Sequence, residues 1–215
     1  MTGSAHPDLA SLRRDYVAAG LSERDLAPTW HEQLARWFHE VEDLDEPNAM
    51  VLTTATKQGR PSARTVLLKG YDEGGLVFFT NRGSRKGHEL AANPQATALL
   101  PWHELQRQVI VTGAVEPVSD AESDAYFASR PRDAQLGAWA SRQSEVLPDR
   151  AALEAALAVV VERYDGQPVP RPPHWGGYRL QPDEVEFWQG RTARLHDRLR
   201  FRRTGSGWVV ERLSP

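Results

Sequence analysis

The stretch from Val185 to Arg198, V-E-F-W-Q-G-R-T-A-R-L-H-D-R, concentrates arginines, a histidine, two carboxylates and a tryptophan in one short segment. If Leu195 to Arg203 is a strand, Arg194, His196 and Arg198 share one face and Leu195, Asp197, Leu199 and Phe201 the other. Cationic groups in a row repel one another unless an anion meets them. A phosphorylated aromatic ligand fits, because Trp188 adds a flat apolar surface and arginine both stacks on rings and forks onto phosphate. Three charges alone fit a solvated basic face; the remainder of the chain overturns that reading.

Other segments carry related chemistry. Ser84-Arg85-Lys86 opens a predicted helix, where cations are disfavoured by the dipole unless an anion occupies the N-terminus. A solvated helix start accounts for the same residues. In Arg64 to Lys69, R-T-V-L-L-K, alternation sends one cation to each face of an apolar strand, although one could simply be exposed at an edge. Tyr126, Arg130 and Arg132 surround the helix end at Arg130-Pro131, where a cation also suits the helix C-terminus. Gln108 lies in an alternating strand, and Gln143 and Ser144 lie in a polar loop.

These segments resemble the pyridoxamine 5′-phosphate oxidase family. Glu186-Phe187-Trp188-Gln189 followed by Arg194-Leu195-His196-Asp197-Arg198 is similar to that family's C-terminal signature, with the same gap. Phe78 to Lys86, Pro101 to Val109, Ser129 to Ser144 and Trp175 to Arg179 continue the likeness in order and spacing, from about Leu12 to the C-terminus. The resemblance implies an FMN-binding split barrel, mainly β with peripheral helices. The implied enzyme is a homodimeric oxidase that converts pyridoxamine and pyridoxine 5′-phosphate to pyridoxal 5′-phosphate. Hydride passes from substrate C4′ to flavin N5, and dioxygen becomes hydrogen peroxide. It assigns FMN to Arg64, Thr65, Val66, Leu67, Leu68 and Lys69, to Phe79, Thr80, Arg85 and Lys86, and to Gln108. From the second subunit it adds Gln143, Ser144, Trp188 and Arg198. It assigns the substrate phosphate to Lys69, Tyr126, Arg130 and the position of Ala134, and the substrate ring to Arg194 and His196 as the catalytic pair. Arg13 and Tyr16 belong to a segment that closes over the substrate. Two departures stand out: Phe79 replaces a tyrosine and Ala134 a serine, so each site lacks one hydroxyl. Split barrels also host deazaflavin-dependent reductases and haem-handling proteins, and a non-catalytic flavin or pyridoxal phosphate carrier is a further alternative. Neither needs the second phosphate cradle that the Arg130 and Arg194 runs provide.

Composition narrows the rest. At 215 residues the chain supports one substantial core. A net charge of −3 gives no reason to expect nucleic-acid binding. Cysteine is absent, which excludes disulfides and thiolate chemistry. No His-x-x-x-His pair or glycine-rich nucleotide loop occurs, so neither a metal site nor a Rossmann cofactor site is expected. With no apolar leader and no membrane-length apolar run, a cytoplasmic protein is expected.

The positioning elements follow from pattern. Residues 1–28 are polar and read as a flexible N-terminal segment, a possible cover for the site, ahead of a single domain over 29–215. Thr29 caps a helix from Trp30 to Val41. Met50 to Thr56, Ala63 to Lys69 and Leu76 to Thr80 read as a three-strand meander. Ser84 opens a helix that ends before Pro94, and Ala96 to Trp102 with Gln106 to Pro117 form a hairpin. Ser119 and Glu122 form a capping box, and Pro148-Asp149 opens a helix with Leu153, Leu157, Val160 and Tyr164 on one face. Three strands, Gly177 to Leu180, Val185 to Gln189 and Leu195 to Arg203, precede a last strand from Trp208 to Leu213. Hairpin connections throughout favour an antiparallel barrel with helices at its ends.

Overall fold

The computed structural model describes residues 20–215. Arg13 and Tyr16 lie outside the described residues. Helix α1 (Trp30–Glu40) starts where Thr29 accepts from the Glu32 backbone and Glu32 reaches back to Thr29, a reciprocal capping box. Its apolar face turns Trp30, Leu34 and Trp37 into the core, and Trp37 meets Phe187 edge-on at 5.1 Å. The packed body begins ahead of this helix, because Leu21 and Ala27 are buried as well.

Nine strands form one curled antiparallel sheet: seven run in the order β2-β1-β5-β6-β7-β4-β3, and β8 and β9 branch from it, β8 pairing with β7 and β9 with β8. Their ranges are β1 Ala49–Ala55, β2 Pro61–Leu67, β3 Gly70–Asp72, β4 Gly75–Asn81, β5 Gln95–Trp102, β6 Arg107–Pro117, β7 Trp175–Gln189, β8 Asp197–Thr204 and β9 Gly207–Arg212. Strict alternation sends Met50 and Leu52 of β1, Leu100 of β5, Val109 and Val111 of β6, and Leu199 and Phe201 of β8 into a common interior. β2 and β3 stand at opposite ends of the strand order yet follow each other in the chain. The corner at Leu68 and Lys69 therefore closes the barrel, with the Lys69 amide donating to Val77 at 2.8 Å.

This arrangement corrects the expected meander. β4 pairs with β3 and β7, not with β2. The expected strands at Gly177 to Leu180 and Val185 to Gln189 are one continuous strand, β7. Its first half pairs with β4 and its second half with β8. A register shift at Thr112/Gly113 in the β6 pairing bends it between the halves. Gly113 is required at that bend, since a Cβ there would collide with the Gln181 carbonyl.

The helices cover the outside. α2 (Arg85–Ala92) is capped by Ser84, α3 (Asp120–Ser129) by Ser119, and α5 (Arg150–Arg163) by Asp149. Between the last two lies α4 (Arg132–Ala140), which the sequence pattern did not reveal. Phe127, Leu136, Tyr164, Val169 and Trp175 form a second, smaller apolar cluster beneath them. Of the expected α5 face, Val160 and Tyr164 join this cluster, whereas Leu157 is exposed. No helix among the described residues is long and apolar enough to cross a membrane.

Candidate active site

A cavity of about 750 Å³ opens between the β2 and β4 strands, the α2 N-terminus, and helices α3 and α4. β2 and the corner after it contribute Thr65, Val66, Leu67 and Lys69; β4 contributes Phe79, Thr80 and Asn81. The end of α3 brings Tyr126, Ser129 and Arg130, α4 brings Ala134, and the following loop brings Gln143. Trp175 at the start of β7 completes the wall.

Lys86 is the dominant charge. It sits in the first turn of α2, only 6% exposed, and its Nζ donates to Thr80 Oγ1 at 3.1 Å and Gln143 Oε1 at 3.1 Å. No carboxylate among the described residues pairs with it. Burial, assisted by the nearby Arg64 charge, pushes its pKa down to about 8. A buried ammonium beside neutral acceptors at a helix N-terminus is a site prepared for an anion.

Arg130, half-buried at the C-terminal end of α3, is a second cation of the cavity. Its guanidinium lies 4.8 Å over the Trp175 ring and 5.5 Å over Phe127, and its Nη1 is buried with no hydrogen-bond partner. Burial pushes its pKa down. Around it Phe79 stacks on Tyr126 at 4.1 Å and on Trp175 at 5.5 Å, giving a flat aromatic wall. Because Phe79 has no hydroxyl, this wall is apolar where a tyrosine would be polar. Ala134 lines the same cavity with a methyl group only.

Several expected residues stand elsewhere. Leu68 points into the core. Arg64 turns away from the cavity lining: it donates to Thr54 Oγ1 at 2.6 Å and to Ser62 Oγ, and pairs with Glu89 at 3.5 Å. Arg85 donates to the same Glu89 at 2.9 Å, while its backbone amide donates to Ser144 Oγ at 3.1 Å. Glu89 is a buried carboxylate bonded also to Thr54 and Ser62, and these donors hold its pKa down at about 2 despite burial. Sequence reading missed it, although Arg85 and Glu89 stand at i,i+4 spacing on one helix. Trp175 belongs to the Trp175 to Arg179 motif but carries no expected site role; only the fold brings it under Arg130.

Gln143 and Ser144 are expected to reach FMN from the second subunit. Both lie against Lys86 and Arg85 of their own chain. The remaining expected residues form a separate group outside the cavity. Gln108, Trp188 and Arg198 are directly opposed on β6, β7 and β8, making one transverse row across the sheet. Arg198 forks onto Glu186 at 2.7 and 3.0 Å. His196 packs against Trp188 with ring centroids 4.6 Å apart. The strand containing Arg194 and His196 is not a strand at that point. β8 begins only at Asp197, and Thr192–Arg194 is a tight turn with Ala193 at φ 53° and Arg194 at φ 61°. The shared face derived from alternation is therefore replaced by an exposed turn that presents Arg194 beside the row.

Comparison with known proteins decides the family. A family model described as pyridoxamine 5′-phosphate oxidase matches residues 39–164, and one described as the pyridoxine 5′-phosphate oxidase C-terminal dimerisation region matches residues 175–215. The chain belongs to the pyridoxamine 5′-phosphate oxidase family. A pyridoxine/pyridoxamine 5′-phosphate oxidase of Salinispora arenicola is 62% identical over all of this chain and 99% of its own length. That of Rubrobacter xylanophilus is 58% identical over the full length of both. Among solved structures, PhzG from Burkholderia lata 383, in complex with tetrahydrophenazine-1-carboxylic acid, is 36% identical with a TM-score of 0.86, covering 92% of this chain and 99% of its own. An FMN-binding, oxidase-related protein of Nostoc punctiforme shares the fold at TM-score 0.71 and 21% identity, covering 88% of this chain and 99% of its own. The split barrel implied by the sequence is thus the family's fold, and the dimerisation region coincides with the β7–β9 segment that carries Trp188 and Arg198 of the transverse row.

Proposed function

We propose that this chain is an FMN-dependent oxidase that forms pyridoxal 5′-phosphate from pyridoxamine and pyridoxine 5′-phosphates, working as a homodimer. One observation carries the reading. The cavity holds two cations without carboxylate partners among the described residues, the buried Lys86 and the half-buried Arg130 with its Nη1 enclosed, beside an aromatic wall. Two phosphorylated aromatic molecules, cofactor and substrate, match two such charges. The donor set fits FMN: Lys86, the α2 N-terminus, Thr80 and Gln143 would hold its phosphate, and Thr65, Val66 and Leu67 line the space beside the ring. When bound, FMN supplies the redox chemistry, taking up the hydride that leaves substrate C4′ and passing electrons to dioxygen to give hydrogen peroxide.

The chain's own residues place the substrate. Arg130, Lys69 and Tyr126 would take its phosphate, a remote handle whose binding energy positions the reacting carbon. Arg194 and His196 would cover its ring. His196 Nδ1 accepts from the Arg191 amide at 3.1 Å, which fixes the orientation of the ring and puts the hydrogen of the neutral imidazole on Nε2. The separation of the transverse row from the cavity within one chain supports a site completed by a second copy, with Gln108, Trp188, Arg194, His196 and Arg198 of one subunit facing the cavity of the other. The test is hydrogen peroxide release when pyridoxamine 5′-phosphate is added to FMN-loaded protein. No peroxide and no pyridoxal phosphate, with flavin bound, would refute the function.

A further inference from the structure

Asp197 lies in the middle of the Arg-Leu-His-Asp-Arg run, yet its carboxylate points neither at the cavity nor along the transverse row. It joins three separate parts of the chain. Oδ2 accepts from the Leu21 amide at 3.0 Å, Oδ1 accepts from Arg212 Nη1 at 2.7 Å, and Arg191 Nη1 stands 3.7 Å away. Arg212 extends the clamp: it forks onto Glu23 at 2.8 and 3.0 Å and donates to the Leu21 carbonyl at 3.2 Å. The approach is close enough that a Cβ on Gly20 would collide with the Arg191 guanidinium.

The element this clamp borders is strained. Ala193 and Arg194 are consecutive non-glycine residues in the left-handed region. Such backbone persists only where its surroundings over-determine it, and it concentrates at functional sites. Inside the turn, the Leu195 amide reaches Thr192 at 3.1 Å and the Arg191 amide reaches His196. Arg191 therefore links the clamp to the turn: its backbone orients His196 while its side chain leans on Asp197. Asp197 also begins β8, so it fixes the turn's C-terminal end directly.

We infer that Asp197, clamped with Arg212, is a positioning residue for the reaction: it locks the Arg191–His196 turn and the stretch at Leu21 and Glu23 into one unit and so sets where Arg194 and His196 stand. The inference rests on the reading that those two residues meet the substrate.

The experiment uses the FMN-loaded full-length protein. Asp197→Asn keeps the acceptor for Leu21 but removes the charge that holds both arginines. FMN affinity and dimer mass should stay as in the wild type, while kcat/KM for pyridoxamine 5′-phosphate falls roughly ten- to a hundredfold, as expected for misplaced contacts. Arg212→Gln, which opens the clamp from its other side, should give the same pattern. The discriminating measurement is the double variant with His196→Asn. A positioning role predicts that Asp197→Asn costs clearly less in the His196→Asn background than in the wild type, the remainder acting through Arg194, whereas a merely structural role predicts additive losses. Additive losses, wild-type kcat/KM in Asp197→Asn, or loss of FMN or of the dimer would each overturn the inference. If the wild-type protein itself releases no peroxide, the proposed function fails; if it is active and the variants match it, only the positioning role fails.

Discussion

Raising the pH from 7 to 9 should weaken FMN binding about tenfold through Lys86 alone. The Lys86 ammonium is buried among Thr80, Ser84 and Gln143 with no carboxylate partner among the described residues, and its pKa is pushed down to about 8. A phosphate dianion beside it favours the charged form, so binding restores the proton and raises that pKa. Affinity is therefore full below about pH 8 and is lost as the pH rises above it, until the pKa of the bound state is passed. At pH 7 roughly nine-tenths of the free protein carries the charge and at pH 9 roughly one-tenth, a tenfold difference worth about 1.4 kcal/mol. The FMN phosphate, with a second pKa near 6, remains a dianion throughout. The assay is quenching of flavin fluorescence on titration with apoprotein at several pH values. Riboflavin, which lacks the phosphate, is the control ligand and Lys86→Met the control protein. Lys86→Met should bind FMN more weakly at pH 7 by about 1.5–3 kcal/mol and should lose most of the pH dependence. An equal fall with riboflavin, or a wild-type affinity that is flat from pH 7 to 9, would refute the assignment of the cofactor phosphate to Lys86.

Arg194→Lys should lower kcat/KM strongly, and His196→Asn less, while FMN binding stays nearly intact; flavin loss in both would move these residues to the cofactor site. Ala134→Ser should lower KM for pyridoxamine 5′-phosphate by a factor corresponding to about 0.5–1.5 kcal/mol, because it returns a donor to the cavity wall beside Arg130; steady-state kinetics showing an unchanged KM would mean that the site already compensates. Light scattering of the FMN-saturated protein should give a dimer mass, and a saturated monomer would contradict a site completed by the second copy.

Parts of this architecture were legible because they follow local rules. Thr29, Ser84, Ser119 and Asp149 all cap the helices expected of them, and the strand expected to alternate around Gln108 does so in β6, with Val109 and Val111 buried. Helix α4 escaped because Pro131 at its cap offers no side-chain bond and only Leu136 is buried along it. The chain's path at Leu68–Lys69 escaped for a different reason. Two strands joined by a short corner read as neighbours, but here they are the two edges that close the barrel. Local pattern fixes neither the bulge opposite Gly113 nor the partner exchange along β7, both of which are long-range choices.

The site shows the same division at the level of single charges. Arg64, Arg85, Lys86, Arg130, Arg194 and Arg198 look alike in the sequence, as cations in motifs, and the resemblance gave all of them to ligands. The structure separates them by what already neutralises them. Glu89 takes Arg64 and Arg85, and Glu186 takes Arg198. Lys86 and Arg130 have no such partner among the described residues, and both pay for burial with lowered pKa values. A folded chain keeps an unpaired buried cation only where something outside it supplies the counter-charge. The paired arginines can still touch a ligand, but they would share it with a carboxylate and contribute less charge. The phosphate-binding free energy is therefore expected to concentrate on Lys86 for the cofactor and on Arg130 for the substrate, with Arg64 and Arg85 acting through the Glu89 network that holds the first turn of α2 in place.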